Sequence, residues 1–201
     1  MNKLLTKTDA VKLPTRLGQF SMLAYYDAFH PDAEPTVVLL KGNVHNRSDV
    51  LVRFHSECLT GEVFGSLRCD CGEQLEKAMR MIGESRMGII IYLRQEGRGI
   101  GLVNKLRAYH LQDMGYDTVT ANEKLELPID NRDYTLCRFI LDDLRVHSIR
   151  IMTNNPDKVR QATELGINVS GVVPLEVEPH PENLKYLSTK KRKMGHLLTC
   201  V

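Results

Sequence analysis

Apolar and polar residues alternate in the first quarter of the chain, which is the pattern of half-buried strands. The alternating runs cover residues 19–25, 36–41 and 50–54. Turn-forming pairs such as Pro31-Asp32 and Gly42-Asn43 separate these runs. The pattern predicts strands of an antiparallel or mixed sheet, and the last strand leads into a cysteine-rich stretch that extends to Gln74.

Beyond residue 72 the apolar positions change to helical spacing, interrupted by short apolar runs. Predicted helices cover about 73–86, 101–114, 134–144 and 156–165, and predicted strands cover 88–93 and 149–152. Asp133 and Asn155 are the expected caps of the last two helices. The helix from residue 101 is expected to bury one arc, which contains Leu102, Val103, Leu106 and Met114.

These elements predict a single domain of the α/β class (α+β mixed), in which helices flank a mixed sheet. About 1–72 would form its β-rich part, about 73–175 its α/β part and 176–201 a C-terminal tail, expected to end as a polar helix or coil. A chain of 201 residues is long enough to bury a full core.

The composition argues against a membrane protein and against a nucleic-acid-binding protein. No apolar run approaches the length of a membrane span, and the first residues lack the apolar core of a signal peptide, so a cytoplasmic protein without membrane contact is expected. The net charge of +2 gives no field that would attract nucleic acid. The basic cluster from Lys190 to Lys193 is interpreted as a solvated helix end.

Three cysteines lie close together in the sequence, at Cys58, Cys69 and Cys71. Clustered thiolates in a chain without secretion signals favour zinc over a disulfide. Because Gly72 follows directly, the Cys69-Asp70-Cys71 chelate is placed on a loop.

The number of ligands distinguishes two kinds of zinc site. Three protein ligands with an open fourth position are typical of catalytic zinc, whereas four ligands close a structural site. His55 is the candidate fourth ligand of a closed site, although its polar neighbours suit contact with a substrate. Cys137 belongs to an apolar helix face and is expected to be inert.

Two loops at helix starts can receive anions. One is the glycine-rich loop after residue 93, and the other carries Thr153 and Lys158 between a strand and a helix. Asp130 and Arg132 precede a further helix, where they are either a cap and a solvated cation or a general base and a phosphate-facing cation. Tyr109 is either a core residue with a wet hydroxyl or a catalytic group.

Ordered sequence blocks over nearly the whole chain resemble those of the GTP cyclohydrolase II family, the first enzymes of riboflavin synthesis. The blocks are RFHSECLTG from Arg53, SLRCDCGEQL from Ser66, RQEGR from Arg94, DNRDYTL from Asp130, TNNP from Thr153 and KMGHLL from Lys193. Glu62 and Leu93 differ from residues found in relatives, at positions to which we assign no chemistry.

The resemblance implies conversion of GTP to 2,5-diamino-6-(5-phospho-D-ribosylamino)pyrimidin-4(3H)-one, formate and diphosphate by a homodimer. It implies one Zn²⁺ per subunit on the three cysteines, and Mg²⁺ with the triphosphate. Asp130 would be the proton acceptor, Arg132 the nucleophile toward the α-phosphate and Tyr109 a participant in ring opening. The implied GTP contacts are Arg53, Phe54, His55, Ser56, Glu57, Gln74, Glu96, Gly97, Arg98, Thr118, Thr153 and Lys158.

One implied role conflicts with simple chemistry, because a guanidinium stays protonated and Arg132 would serve equally as an electrostatic clamp. Tyr109 favours full deformylation, since related enzymes without this tyrosine stop at a formamidopyrimidine. Rival functions are a zinc nucleobase deaminase, whose His-x-Glu and Pro-Cys-x-x-Cys motifs are missing, a structural zinc module that binds RNA or protein, and a relative that binds GTP without turnover.

Overall fold

The computed structural model describes residues 5–201, so residues 1–4 of the predicted β-rich part lie outside the described residues. One mixed sheet of eight strands organises the fold. The strands are β1 Leu5–Lys7, β2 Val11–Thr15, β3 Gly18–Asp27, β4 Thr36–Lys41, β5 Val50–Ser56, β6 Gly88–Leu93, β7 Ile149–Met152 and β8 Val169–Val173.

The sheet is antiparallel on one side and parallel on the other. Its order is β1-β3-β4-β6-β5-β7-β8, and β2 also pairs with β3. Pairs on the N-terminal side of β6 are antiparallel, whereas β6, β5, β7 and β8 run parallel to one another. The loops after β5, β6 and β7 therefore meet at one sheet edge, which is where ligands bind in open α/β sheets.

Helices cover both faces of the sheet. They are α1 Leu59–Glu62, α2 Cys71–Glu84, α3 Gly101–Asp113, α4 Thr118–Lys124, α5 Thr135–Asp143, α6 Pro156–Glu164 and α7 Leu184–Met194. Alternate residues of β6 face opposite sides: Ile89 and Ile91 join the larger apolar cluster with α5, while Ile90 joins the smaller one with α2. Both faces of the central strands are thus buried.

The predicted mixed α/β fold is confirmed, and so are most of the predicted elements. The expected cap Asn155 is confirmed, because it accepts a hydrogen bond from the backbone of Asp157. The cap predicted at Asp133 is wrong by one residue: Tyr134 is the N-cap of α5, and Asp133 accepts a hydrogen bond from the backbone of Thr135 from the position before it. Strands β1, β2 and β8 and helices α1 and α4 were not predicted. Along residues 5–201, no helix is both long and apolar enough to span a membrane.

The predicted apolar arc of α3 is wrong. The side chains of Val103, Leu106 and Met114 are more than half exposed, whereas Lys105 and Ala108 are buried. Tertiary contact overrides the periodic signal here, because α3 turns its Lys105 face toward the cysteines and leaves apolar residues outside.

Gly83 lies in α2 against the turn between β2 and β3. A Cβ at this position would lie 2.0 Å from the carbonyl oxygen of Leu17. Alanine favours helices over glycine by about 1 kcal/mol, yet we expect Gly83→Ala to lower the free energy of unfolding by about 1–3 kcal/mol, because the turn must move away. Urea unfolding measures this change.

Gly171→Ala is the matched control, since the nearest atom to its added Cβ would be 3.6 Å away. A Gly83→Ala protein as stable as the parent would show that the contact between α2 and the turn is not tight.

Candidate metal centre and active site

The three predicted metal ligands converge at the edge where the parallel strands end. Cys58 follows β5 and precedes α1, while Cys69 and Cys71 flank the start of α2. The sulfur atoms of Cys58 and Cys69 are 3.6 Å apart, and all three sulfurs lie within 4.8 Å of one another. In the part of the chain that the structure describes, this is the group of ligand-type side chains that can hold a metal ion.

Two glycines allow this convergence. A Cβ at Gly72 would lie 2.4 Å from the carbonyl oxygen of Gly61. The backbones of α1 and of the start of α2 are therefore in direct contact, with no room for a side chain between them. Gly72 is inside α2 rather than in the expected tight turn, and Asp70 precedes the helix. The prediction of a loop was wrong for Cys71, which is the first helical residue.

His55 is not in the group of side chains that could hold a metal ion, and this arrangement favours the open site over a closed one with His55 as the fourth ligand. Its Nε2 lies 2.7 Å from the Glu62 carboxylate, which also accepts a hydrogen bond from the Tyr92 hydroxyl. The imidazole stacks on the Tyr92 ring. Glu62 thus orients His55, a role that the sequence did not indicate because nothing in its spacing links the two residues.

Lys105 is a buried cation next to the thiols. Its Nζ donates to the sulfur of Cys58 at 3.1 Å and to a carboxylate oxygen of Glu96 at 2.7 Å. Hydrogen bonds from Cys69 and Cys71, together with the charge of Lys105, lower the pKa of Cys58. Thiolate is the form that binds metal. Sequence reasoning missed Lys105 because it assigned the buried face of α3 to apolar residues.

A chain of buried hydrogen bonds links the cysteine turn to the C-terminal helix. The Asp70 carboxylate accepts from Lys190 at 2.5 Å and from the Gln74 amide at 2.5 Å. Gln74 in turn accepts from the Arg53 guanidinium at 2.6 Å. Burial acts to raise the pKa of Asp70, but the charge of Lys190 outweighs it and keeps this pKa low. The interpretation of Lys190 as a solvated residue was wrong.

Arg132 and Asp130 form an ion pair in the loop before α5. The Arg132 Nε donates to the Asp130 carboxylate at 2.8 Å, and a second contact joins Nη2 to the same group. Burial opposes the charge of Arg132, yet Asp130 raises its pKa, and Arg132 holds the pKa of Asp130 low. Both groups are ionised at neutral pH.

A cavity collects most of the predicted site residues. Those that line it are Arg53, His55, Ser56, Glu57, Cys58, Cys69, Cys71, Gln74, Glu96, Gly97, Arg98, Tyr109, Thr118, Arg132, Thr153 and Lys158. Two predicted residues do not line it. The Phe54 side chain is in the core, stacked on Tyr134, and Asp130 lies behind Arg132.

The cavity wall carries buried polar atoms without partners. Within residues 5–201, none hydrogen-bonds to Nε of Arg53, Nδ1 of His55 or Oγ of Ser56. Lys158 is buried near them and donates to the carbonyl oxygen of Phe54 at 2.8 Å. Burial lowers the pKa of Lys158 well below its usual value. Unsatisfied buried groups are costly, so this wall is suited to a polar, anionic ligand.

Fold and site together define a class: an α/β protein with a three-thiol metal site beside a cation-lined cavity. The family model described as GTP cyclohydrolase II matches residues 6–174. The chain belongs to this family.

Curated relatives match almost the whole chain. "GTP cyclohydrolase-2" of Neisseria meningitidis is 48% identical over 199 residues, covering 99% of this chain and 100% of the relative. The protein of the same name from Acinetobacter baylyi is 51% identical over 187 residues, covering 92% of each chain. "Riboflavin biosynthesis protein RibBA" of Endomicrobium trichonymphae is 49% identical over 196 residues.

The chain spans about half the length of that last relative, with coverage of 98% of this chain and 48% of the relative. Among solved structures, a two-domain 3,4-dihydroxy-2-butanone 4-phosphate synthase from A. baumannii aligns over 84% of this chain and 40% of its own, at 16% identity and a TM-score of 0.45.

The buried pair between Lys190 and Asp70 gives a stability prediction. Lys190→Met would leave the Asp70 carboxylate buried without its cation, so we expect the free energy of unfolding to fall by about 3–5 kcal/mol. The neighbouring Lys191 is exposed, and Lys191→Met is expected to change stability by less than about 0.5 kcal/mol. Urea unfolding of both variants provides the comparison, and equal stability of the two would contradict a structural role for the pair.

Proposed function

We propose that this chain hydrolyses GTP to 2,5-diamino-6-(5-phospho-D-ribosylamino)pyrimidin-4(3H)-one, formate and diphosphate, the first step of riboflavin synthesis. Family membership and relatives named GTP cyclohydrolase-2 support the activity. The observation that carries it is the group of three thiols beside a cavity with unpartnered polar atoms and buried cations. A cytoplasmic location stays a prediction.

Zinc fits the donor set of Cys58, Cys69 and Cys71. Sulfurs around tetrahedral zinc are roughly 3.8 Å apart for Zn–S bonds of about 2.3 Å, and the sulfurs of Cys58 and Cys69 here are 3.6 Å apart. When bound, zinc with an open position supplies a Lewis acid that lowers the pKa of a coordinated water toward neutrality. Engagement of His55 by Glu62 supports an open position and disfavours a purely structural zinc module.

The cations of the cavity are suited to the triphosphate. Arg53 and Arg132 act as positive charges, the Lys158 amino group can donate hydrogen bonds to phosphate oxygens, and the start of α6 adds backbone N–H groups near Thr153. Mg²⁺ would bind mainly through phosphate oxygens, since this ion prefers oxygen ligands and keeps several waters. Arg132 serves as a clamp, because its ion pair with Asp130 keeps it protonated.

Two carboxylates have distinct environments in this proposal. Asp130 remains the predicted proton acceptor, although its bond to Arg132 weakens its basicity. Glu57 lines the cavity, and burial raises the pKa of its carboxyl despite the contact with Arg94 at 2.8 Å. Together with the unpartnered His55 and Ser56 atoms, Glu57 provides polar contacts for the guanine base.

Tyr109 is held at the cavity wall by two cations. The guanidinium carbon of Arg68 lies 4.5 Å from the ring centroid, and Nζ of Lys105 lies 5.6 Å from it. Burial raises the pKa of the Tyr109 hydroxyl to about 12, so the group keeps its proton and acts as a donor. We assign it to protonation of the substrate during ring opening and release of formate.

A homodimer is the proposed assembly. Large apolar side chains are exposed on α3 and on the segment after α1, including Val103, Leu106, Phe64 and Leu67. The two segments are neighbours, since Arg68 donates to Asp113 at 2.7 Å. A second copy of the chain would cover this apolar surface.

The metal role gives a direct prediction. Cys69→Ser removes one of three thiolates, and we expect the purified protein to lose bound zinc and to produce formate from GTP at least about 100-fold more slowly. Cys200→Ser, at a cysteine outside the thiol group, is the control and is expected to keep both properties. Metal analysis and mass spectrometry of the products check this, and undiminished formate production in a zinc-free Cys69→Ser protein would refute the role.

The role of Tyr109 gives a second prediction. Tyr109→Phe removes the hydroxyl and keeps the ring between its cations, so we expect diphosphate release to continue while formate release falls at least about 10-fold. A formamidopyrimidine should then accumulate and be detected by mass. Equal loss of both products would instead assign Tyr109 to binding.

A further inference from the structure

One lysine of α3 lies inside the fold, next to the three thiols. Lys105 is 8% exposed, and it lines the cavity together with the three cysteines. Gly97 permits this approach, since its φ is +62° and a Cβ there would lie 3.2 Å from Cβ of Lys105. The lysine is therefore built into the site and does not extend toward solvent.

Two partners fix the ammonium group of Lys105. Its Nζ donates to the sulfur of Cys58 at 3.1 Å and to Oε1 of Glu96 at 2.7 Å. The Glu96 carboxylate is itself fixed, because Oε1 also accepts from the backbone of Gly97 at 2.8 Å and Oε2 accepts from that of Leu59 at 2.7 Å. Leu59 directly follows Cys58, so one carboxylate holds both the lysine and the backbone next to the first thiol.

The other buried cations near the thiols have different partners. Lys190 donates to the Asp70 carboxylate, and Arg53 donates to the Gln74 side chain. In the part of the chain that the structure describes, one lysine donates to a sulfur of the three cysteines, and that is Lys105. Its charge therefore acts on one sulfur more strongly than on the other two.

A hydrogen bond from an ammonium group changes how strongly a thiolate binds a metal. The sulfur shares its negative charge with the N–H donor, so it passes less electron density to a bound ion. The charge of three thiolates exceeds that of Zn²⁺, and full donation from all three would leave the ion a weak Lewis acid. A donor that holds back one sulfur preserves part of the positive charge on the metal.

We propose that Lys105 is a positioning residue of the metal site, whose hydrogen bond makes Cys58 a weaker donor and thereby keeps bound zinc acidic enough for ring opening. The inference rests on the proposed function for the reaction that it serves. Glu96 holds the ammonium group in place for this role. Lys105 thus acts on the reaction through Cys58, without a contact to GTP.

Cobalt in place of zinc reports the donor strength of the thiolates. The full chain is loaded with Co²⁺, and the charge-transfer absorption from sulfur to cobalt is measured without GTP. We expect the band of Lys105→Met to move to longer wavelength, because a sulfur without its hydrogen bond gives up an electron more easily. Lys124→Met, at an exposed lysine of α4, is the matched control and should absorb as the parent does.

Kinetics of the zinc-loaded proteins provide a second measurement. With excess zinc present, we expect kcat for formate release from GTP to fall about 10–100-fold in Lys105→Met, the range found when partners of metal ligands are removed. KM for GTP should change by less than about 3-fold, because the lysine makes no contact with the substrate. Lys124→Met should match the parent in both constants.

A second variant separates this role from a purely structural ion pair. Lys105→Met leaves the Glu96 carboxylate buried without its cation, which by itself destabilises the fold. The double variant Lys105→Met, Glu96→Gln removes both charges, and so relieves that cost without returning a donor to Cys58. We expect the double variant to keep the longer-wavelength band and the low kcat.

A parental cobalt band or a parental kcat in Lys105→Met would overturn the inference. So would a double variant in which band and kcat return to the parental values, because the ion pair with Glu96 would then explain the lysine. A raised KM with unchanged kcat would instead assign Lys105 to GTP binding. A parent protein that binds the metal but releases no formate contradicts the proposed function, whereas normal formate release with an unshifted band contradicts this inference alone.

Discussion

The site depends on balancing the negative charge of three neighbouring thiolates. Three thiols lie within 4.8 Å of one another in a largely buried pocket, and thiolates this close repel each other unless positive charge lies among them. Lys105 supplies one fixed charge at 3.1 Å from Cys58, and a metal ion would supply the rest. The arrangement of the surrounding elements follows from this requirement, because both α3 and the start of α2 must reach the thiols.

The same principle extends to the C-terminal part of the chain. Asp70 lies between two of the cysteines, and its buried carboxylate needs a cation of its own, which α7 provides through Lys190. That ion pair brings the end of α7 over the cavity and places His196 there. A segment that looks like a tail in the sequence is therefore part of the cavity wall.

Sequence reasoning found the parts with local signals. The group of three cysteines and the cap at Asn155 were identifiable because spacing and residue type carry their meaning. Buried lysines have no such signal, because periodicity assigns polar residues to the surface. Lys105 and Lys190 are buried by partners distant in sequence, which only the assembled fold reveals.

The central claim is a metal held by three cysteine sulfurs with its remaining position accessible to water. X-ray absorption at the zinc edge of the nucleotide-free protein tests it most directly. The account predicts three sulfur neighbours at about 2.3 Å and one oxygen that exchanges with added anions. A fourth sulfur, or the outer-shell scattering of a bound imidazole, would contradict it.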